Sequence, residues 1–378
     1  MRDHHAGPVG VAARVAAATP DDRDRGVDGL RALAVCGVVL GHWMVTALIA
    51  DSGTIRVTSP LKFLPQLTPL SWILQTMAVF FLVGGWMAAR SLASGRRSYR
   101  TWLAVRMARL FRPVAALVAV WAVVAFAALA AGADSATVLA LLKLMYGPLW
   151  FLLVFAVLTA TTPLVARLHP AWPLAVVAVA DLVRFGLGGP AWAGWVNLVA
   201  GWLVPYCVGT ACARQGPPGR ATAWTLLLGG TAATAALVLW AGYPASMVGV
   251  PGAPVSNQSP PTLAAAAFGL AQCGAALLLL GPLRRWLRRP AAWAVVALAN
   301  LSAMTIFLWH QTAMIAVSLL TLLGGERLEG LHTVPDHAGW PPARLAWLPV
   351  FAAALLLCRA AFHAHERGRI RTTPTVIT

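Results

Sequence analysis

Long, uninterrupted apolar runs are the feature that most constrains this chain. Several of them approach or exceed the roughly 20 residues that an α-helix needs to cross a bilayer. Because 59% of the 378 residues are hydrophobic and only 11% are charged, a soluble fold of this size could not bury the apolar surface. The runs are continuous rather than alternating, which argues against a β-barrel. The sequence therefore predicts an all-α, polytopic integral membrane protein that folds as one helical bundle.

About ten transmembrane helices are expected. They are predicted at residues 29–49, 70–90, 114–131, 149–166, 171–187, 193–213, 221–241, 262–282, 298–323 and 345–361. A short helix is predicted at 136–145, and the basic segment before the third span is predicted to end at Pro113. These elements divide the chain into a mostly disordered N-terminal tail (1–26), a transmembrane domain (27–363) and a C-terminal tail (364–378).

The distribution of arginine and lysine predicts the orientation. Ten spans put both ends of the chain on one side of the membrane. If the N-terminus is inside, most of the basic residues fall on inner segments, and the outer segments hold only Arg56, Lys62, Arg327 and Arg344. Basic residues favour the cytoplasmic side, so both termini are predicted to be cytoplasmic. The net charge of +17 is then explained by topology, and no nucleic-acid partner is predicted.

The first predicted span carries the most informative polar residues. Arg31 and His42 are eleven positions apart, which places them within about 20° of each other on one helical face and roughly 16 Å apart along the axis. Asp28 lies about 40° from the same line. Ionisable groups inside an apolar run are costly and mark functional sites. A neutral imidazole can accept a proton near pH 7, and an arginine suits an anionic group.

Together, Arg31 and His42 fit a ligand that is anionic at one end and reactive at the other, as coenzyme A thioesters are. A histidine in a span can also serve only as an interhelical hydrogen-bonding residue, and this alternative stays open for His42. Ligation of a haem by His42 and His310 is a further alternative that no other residue supports. The five cysteines show no metal or disulfide spacing, so neither a metal nor a permanently bound cofactor is predicted.

The basic segment between the second and third predicted spans is denser than topology requires. Arg106, Arg109 and Arg112 are spaced by three and fall on one side of a helix. With Arg90 at the end of the second span, they are predicted to hold phosphate groups. Positive-inside anchoring is the alternative reading of all four residues.

Four further residues are predicted to shape a substrate pocket. Gly84 and Gly85 allow the second span to approach a neighbouring helix closely. Trp150 and Trp309 lie beside candidate site residues, whereas most of the 17 tryptophans are expected to be interfacial anchors. His310, next to Trp309, is predicted to assist from the other side of the pocket.

These residues resemble a known family. The segment from Asp28-Gly29-Leu30-Arg31 to His42 is similar to the opening of the acyltransferase 3 family of bacterial membrane proteins, in which a basic residue, ten intervening residues and a histidine occupy the first span. Four later elements resemble further motifs of that family in the same order, namely Phe80 to Gly85, Arg106 to Pro113, Leu149 to Leu152 and Leu308 to His310. One departure is Gly84, which stands where the family usually has serine.

The resemblance implies a bacterial inner-membrane enzyme that moves an acyl group, often acetyl, from cytoplasmic acyl-CoA to a hydroxyl or amine. The implied acceptor is a cell-envelope glycan, a lipid-linked sugar or a secreted small molecule. His42 is then the predicted base or acyl carrier, Asp28 is predicted to orient Arg31, and the arginines are predicted to hold the donor. The partners expected are acyl-CoA, the acceptor and the lipid bilayer.

Two other functions remain alternatives. One is a transporter or flippase for an amphipathic solute, in which Asp181, Arg184 and the histidines would be substrate or proton sites. The sequence shows neither an inverted repeat nor paired broken helices to favour it. The other is a structural subunit of an envelope assembly without chemistry of its own.

Overall fold

Helices make up nearly all of the architecture, which a computed structural model describes for residues 8–20, 22–51 and 53–362. In chain order they are α1 (Pro8–Ala17), α2 (Arg25–Val45), α3 (Pro60–Phe63), α4 (Met77–Ala93), α5 (Tyr99–Ala130), α6 (Ser135–Tyr146), α7 (Leu149–Ala160), α8 (Thr162–Val165), α9 (Ala171–Asp181), α10 (Asn197–Gln215), α11 (Arg220–Trp240), α12 (Leu263–Trp286), α13 (Pro290–Leu301), α14 (Ala303–Leu322) and α15 (Trp340–Phe362). Two strands, β1 (Ala47–Asp51) and β2 (Thr54–Thr58), form an antiparallel hairpin. Shorter turns are the 3₁₀ helices Pro65–Trp72 and Ala191–Val196 and the π-helical turn Leu182–Gly186.

The predicted helical membrane bundle is confirmed. Within the described residues, nine helical segments are long and apolar enough to cross a bilayer, and they lie in nine of the ten predicted spans. The remaining span, 171–187, consists of the 11-residue helix α9 and the π-helical turn after it, which together are shorter than a usual crossing. The total of ten and the cytoplasmic position of both termini stay predictions.

Helix α2 is shorter than predicted at its far end. It begins where Asp24 accepts hydrogen bonds from the backbone N–H groups of Gly26 and Val27, as an N-cap residue does. It ends at Val45 rather than at residue 49, because the chain from Ala47 onwards pairs in the β1–β2 hairpin. His42 therefore lies in the last turn of α2.

The basic segment belongs to a membrane helix. Ser98 caps α5 by accepting a hydrogen bond from the N–H of Thr101, and the helix then runs for 32 residues with Pro113 inside it. The predicted end at Pro113 is wrong. Membrane helices tolerate proline because neighbouring helices can satisfy the freed backbone groups. The arginines from Arg100 to Arg112 thus project from the first part of one long helix.

The N-terminal segment also differs from its prediction. Residues Pro8–Ala17 form α1, which packs against α13, and Trp293 donates a hydrogen bond of 2.6 Å from its indole to Thr19 Oγ1. A mostly disordered tail is therefore the wrong description of residues 8–20. The predicted C-terminal tail, 364–378, lies outside the described residues. The predicted span 298–323 is divided at Ser302 into the end of α13 and α14.

Small residues bring the central helices together. A Cβ at Gly85 would meet the backbone of Tyr206, and one at Gly209 would meet the backbone of Leu82, so α4 and α10 approach at backbone distance. Such contacts let membrane helices gain van der Waals packing. Around this pair lies an aromatic core that includes the buried rings of Phe81, Phe151, Trp202, Tyr206 and Phe307.

Candidate active site

Four arginines surround a cavity of about 300 Å³ at the end of the bundle where α2 begins. Arg31 comes from α2, Arg97 from the turn before α5, and Arg106 and Arg109 from α5 itself. We call this space the arginine cavity. Guanidinium groups present forked donors that match phosphate and carboxylate oxygens. The structure therefore brings together Arg31 and two of the predicted phosphate-binding residues, and it adds Arg97.

Arg106 is held in place by its neighbours. One Nη atom donates a hydrogen bond of 3.1 Å to the carbonyl of Met87, and the guanidinium carbon lies 4.7 Å from the centre of the Trp102 ring. Such a cation–π contact orients a guanidinium while leaving other donors available. Apolar side chains, among them Phe80 and Phe155, line another part of the wall, which we call the apolar floor. The cavity thus combines fixed positive charge with an apolar floor.

The other two predicted phosphate-binding residues lie elsewhere. Arg112 is exposed on α5 and is not part of the cavity wall. Arg90 is exposed at the end of α4, where it donates a hydrogen bond of 2.8 Å to the carbonyl of Asp22. Arg90 thus attaches the N-terminal segment to the bundle. The spacing of three correctly places the arginines on one face of α5. It does not indicate which residues of that face reach the cavity.

Asp28 pairs with Arg23 at the start of α2. Its buried carboxylate accepts hydrogen bonds of 2.6 and 3.2 Å from Arg23, and its carbonyl accepts one of 2.8 Å from Asn300. Asp28 thus orients Arg23, and its orientation of Arg31 stays a prediction. A second ion pair, 2.5 Å long, joins Asp24 to Arg284 of α12. Both pairs fix the start of α2 against its neighbours.

Two histidines meet at the opposite end of α2. The rings of His42 on α2 and His310 on α14 lie 5.0 Å apart between centroids and are inclined by 48°. The indole of Trp43 donates a hydrogen bond of 2.9 Å to the carbonyl of His310, which ties the two helices together at this point. The sequence predicted that both residues belong to one site, and the structure brings them together.

The hydrogen bonds of His310 fix its tautomer. Its Nδ1 lies 2.5 Å from the carbonyl oxygen of Phe307, and a carbonyl can only accept. Nδ1 therefore carries the proton, and Nε2 keeps a lone pair. This Nε2 is buried and has no hydrogen-bond partner among residues 8–20, 22–51 and 53–362. A ligand with a hydrogen-bond donor can therefore bind at this buried, unpaired acceptor.

Gln311 contacts the other histidine. Its amide nitrogen lies 3.2 Å from Nδ1 of His42, so in this arrangement His42 accepts at Nδ1 and holds its proton on Nε2. The side-chain oxygen of Gln311 is buried and also lacks a hydrogen-bond partner in the described part of the chain. Sequence reasoning missed Gln311, although a polar residue next to His310 in an apolar run was visible and is costly to bury.

Arg344, at the start of α15, was also missed as a site residue. It is fully buried and donates hydrogen bonds of 2.7 to 2.9 Å to the carbonyls of Trp43, Thr46 and Gly330. Two of these carbonyls belong to the C-terminal end of α2, where orphan carbonyls need partners. Arg344 therefore holds the turn that carries His42. In the sequence it is one of only four basic residues on predicted outer segments, which was the available clue.

A second cavity of about 810 Å³ opens beside His42. We call it the histidine cavity. It is lined by α2, the 3₁₀ helix Pro65–Trp72, the loop between α11 and α12 and the start of α15. Trp150 lies on its wall, as predicted for a pocket residue. Trp309 does not line either cavity; its ring stacks at 3.8 Å on Phe362 of α15.

The elements that form both cavities match a known family. Residues 24–363 match the acyltransferase 3 family, which is described as an acyltransferase domain. The chain belongs to this family. No curated protein and no solved structure matches it. With its nine apolar helices of membrane-spanning length in the described residues, it is a multi-pass membrane acyltransferase.

The one departure from the family motifs, Gly84, lies against an aromatic side chain. Gly84 lines the arginine cavity, and a Cβ built there would meet the Phe155 ring at Cε2. Phe155 therefore occupies the space that a serine side chain at this position would need. Gly85, by contrast, faces the backbone of Tyr206 and is a packing residue outside the pocket. Of the two predicted glycines, only Gly84 borders a cavity.

No group of three or more His, Cys, Asp or Glu side chains within residues 8–20, 22–51 and 53–362 is placed to hold a metal ion. The pair of His42 and His310 has Gln311 and Phe307 as its hydrogen-bond partners. This part of the acyltransferase therefore contains two neutral imidazoles whose hydrogen-bond partners hold them in fixed positions.

Proposed function

We propose that this acyltransferase takes an acyl group, in the first instance acetyl, from coenzyme A and transfers it to a hydroxyl of the acceptor. The observation that carries the proposal is the arrangement of α2, with an arginine-lined cavity at its start and His42, which meets His310 of α14, in its last turn. The predicted topology puts the arginine cavity on the cytoplasmic side of a bacterial inner membrane, where acyl-CoA is available.

The arginine cavity binds the nucleotide end of the donor in this proposal. Arg31, Arg97, Arg106 and Arg109 meet its phosphate groups by charge-assisted hydrogen bonds. The apolar floor at Phe80 accommodates the start of the pantetheine arm. Eleven helical residues separate Arg31 from His42, a rise of roughly 16 Å, so an extended arm that follows α2 delivers its thioester towards the histidines.

His42 is the general base of the transfer. The acceptor oxygen bonds to the thioester carbonyl carbon, the carbon–sulfur bond breaks, and the coenzyme A thiolate leaves. His42 Nε2 takes the hydroxyl proton as this happens and returns it to the thiolate, so that the free thiol and the ester are the products. General base catalysis of this kind contributes about 10²- to 10⁴-fold to a rate.

Gln311 and His310 prepare His42 for this step. A half-turn of the Gln311 amide presents its unpartnered oxygen to His42 Nδ1–H, which leaves a lone pair on Nε2. His310, which Phe307 anchors through Nδ1, lies 5.0 Å away between ring centroids and packs against the His42 ring. His310 therefore positions His42, which carries the proton from the acceptor to the thiolate.

Binding of acetyl-CoA to the purified protein tests the donor. Acetyl-CoA at 100 times its Kd stabilises a folded protein by about 2.7 kcal/mol, which is expected to appear as a higher Tm. S-acetylpantetheine carries the same thioester without the nucleotide phosphates and is expected to stabilise far less at equal concentration. Equal stabilisation by both compounds would remove the role assigned to the arginines. No binding of acetyl-CoA or of longer acyl-CoA thioesters to well-folded protein would overturn the proposal.

A further inference from the structure

The lining of the histidine cavity does not suit a charged or strongly hydrophilic molecule. None of the described residues that line it is Asp, Glu, Lys or Arg. Its volume of about 810 Å³ is at the upper end of the range of small-molecule pockets. Burial of a charge without a partner is costly, so an anionic glycan or a cationic amine would lose more in desolvation than this wall could return.

One side of the cavity consists of aliphatic side chains that are also open to the surroundings. Leu70, Ile73 and Leu345 line it and are 56%, 68% and 52% exposed. Leu70 and Ile73 lie in the segment Pro65–Ala93 and Leu345 in α15, both long and apolar enough to cross a bilayer. Side chains exposed on such segments lie where lipid chains can contact them, which would let a ligand enter the cavity sideways from the membrane.

The cavity wall also carries a small number of neutral polar groups. Ser256, Ser259 and Gln258 come from the loop between α11 and α12. The amide nitrogen of Gln258 lies 3.0 Å from the thioether sulfur of Met77, a weak acceptor. Hydroxyl groups of a ligand would give this amide a better partner in the cavity that His42 also lines.

We infer that the histidine cavity binds a neutral amphiphile, with its apolar part against the aliphatic side and its hydroxyl groups between Gln258 and His42. This inference rests on the proposed function and narrows it, because it selects an uncharged, membrane-borne alcohol as the acceptor. Free hydrophilic sugars and anionic envelope polymers are excluded as direct occupants. A bilayer lipid with a charged headgroup is excluded for the same reason.

A matched pair of probes tests whether the histidine cavity prefers a neutral amphiphile to a charged one. Octyl β-glucoside and octyl β-glucuronide have the same chain and ring and differ in one carboxylate. Binding is measured by equilibrium dialysis against the protein in phosphatidylcholine nanodiscs, with empty nanodiscs as background. We expect saturable binding of the glucoside, at least ten-fold weaker binding of the glucuronide, and none of glucose. Equal or tighter binding of the glucuronide, saturable glucose binding, or no saturable glucoside binding would each overturn the inference.

A charge added to the cavity should reverse this preference. Val248 lines the cavity from the α11–α12 loop, whereas Ala253 is exposed on the same loop outside the wall. Val248→Lys is expected to raise affinity for the glucuronide about ten-fold and to lower that for the glucoside, and Ala253→Lys to change neither. The inference is contradicted if the two variants behave alike.

Acetyl-CoA binding, measured on the same samples, separates the two proposals. The arginine cavity shares no lining residue with the histidine cavity, so both lysine variants are expected to bind acetyl-CoA as the wild type does. If the wild type binds acetyl-CoA but does not prefer the glucoside to the glucuronide, only the inference about the acceptor class is contradicted. Absence of acetyl-CoA binding in the wild type contradicts the donor, whatever the glucoside result.

Discussion

The arginine cavity and the histidine cavity lie at opposite ends of α2 and differ in both charge and size. The first has about 300 Å³ and four arginines on its wall, and the second has about 810 Å³ and no charged residue among those described. Fixed positive charge suits a phosphate-rich ligand that arrives from water. An uncharged wall with exposed leucines suits a ligand that arrives from lipid.

The two ends are also built differently. At the arginine end, ion pairs from Arg23 to Asp28 and from Arg284 to Asp24 hold the start of α2. At the histidine end the buried side chain of Arg344 binds three carbonyl groups, and no carboxylate among residues 8–20, 22–51 and 53–362 pairs with it. The arginines of the two ion pairs are 40% and 42% exposed, so solvent screens both pairs, whereas a buried donor with three acceptors is costly to remove. Substitutions at the two ends should therefore have distinct effects.

The largest effect is expected at His42. His42→Ala should lower acetyl transfer by 10²- to 10⁴-fold because the general base is lost. It should leave acetyl-CoA affinity unchanged, because His42 does not line the arginine cavity. Transfer of labelled acetyl groups and donor binding are measured on the same preparation. His337→Ala, at an exposed histidine, serves as the control. More than a tenth of wild-type transfer in His42→Ala would contradict the assignment of the base.

The next largest effect is expected at Arg344. Arg344→Met leaves the carbonyls of Trp43, Thr46 and Gly330 without their donor, at about 1 to 3 kcal/mol for each buried group. We expect a clearly lower Tm and reduced transfer.

Arg344→Lys keeps the charge but not the forked geometry, so it should fall between the wild type and Arg344→Met in both measurements. Arg327→Met removes an exposed arginine that pairs with Asp51 at 3.5 Å and is expected to be near neutral. An Arg344→Met protein as stable and active as Arg327→Met would show that α2 does not need this support.

At the other end, single arginine substitutions should have intermediate effects on donor binding. Arg31→Ala and Arg106→Ala each remove a charged donor from the arginine cavity, and about a ten-fold rise in Kd for acetyl-CoA corresponds to 1.4 kcal/mol. Arg112→Ala, on the same helix but outside the wall, should change Kd less than two-fold. Titration calorimetry compares the three. If Arg112→Ala is as harmful as Arg106→Ala, the donor reaches beyond the cavity along α5.

This comparison also shows what the sequence could predict. Nine of the ten spans that were predicted from the length of apolar runs correspond to helical segments in the structure. This succeeds because bilayer thickness alone sets that length. The helical rise placed Arg31 and His42 on one helix with the right separation. The extension of α5 through Pro113 could not be predicted from the proline rule, because neighbouring helices stabilise it.

Partners across the bundle were the part that the sequence left undetermined. The pairing of Asp28 with Arg23 depends on how residues 22–24 turn into α2, and a helical-wheel argument does not include them. The contact of Gln311 with His42 joins residues 269 positions apart. Arg344 reaches the end of α2 from the start of α15. The last two contacts require the tertiary arrangement, which periodicity along one helix does not contain.

Restoring the family serine is expected to have a smaller effect, on stability. Gly84→Ser places a Cβ against the Phe155 ring, and overpacking of this kind costs about 1 to 3 kcal/mol. Phe155→Leu should make room, so the double variant is expected to be more stable than Gly84→Ser alone. The coupling between the two positions is measured as a double-mutant cycle of Tm values. Additive effects would mean that Phe155 does not replace the serine.

The smallest effect is expected from pH at His332, in the loop before α15. Its Nδ1 accepts a hydrogen bond of 3.1 Å from Leu328 N–H, and its Nε2 donates to the carbonyl of Ser318 at 2.8 Å. Burial lowers the pKa of His332 below its ordinary value of 6.5, with the charge of Arg344 acting in the same direction. The unfolded chain therefore takes up this proton first as the pH falls below 6.5, and stability is lost on the acid side.

The arginine end should not respond in that pH range. Burial raises the pKa of Asp24, but hydrogen bonds from Arg284, Val27 and Gly26 outweigh it and lower the pKa below 3.8. Between pH 7 and pH 5 we thus expect Tm to fall by an amount equivalent to at most about 1.4 kcal/mol per pH unit. His332→Gln should flatten this profile, and the pH dependence of acetyl-CoA affinity should be the same in both proteins. An equally steep profile in His332→Gln would assign the acid sensitivity to another group.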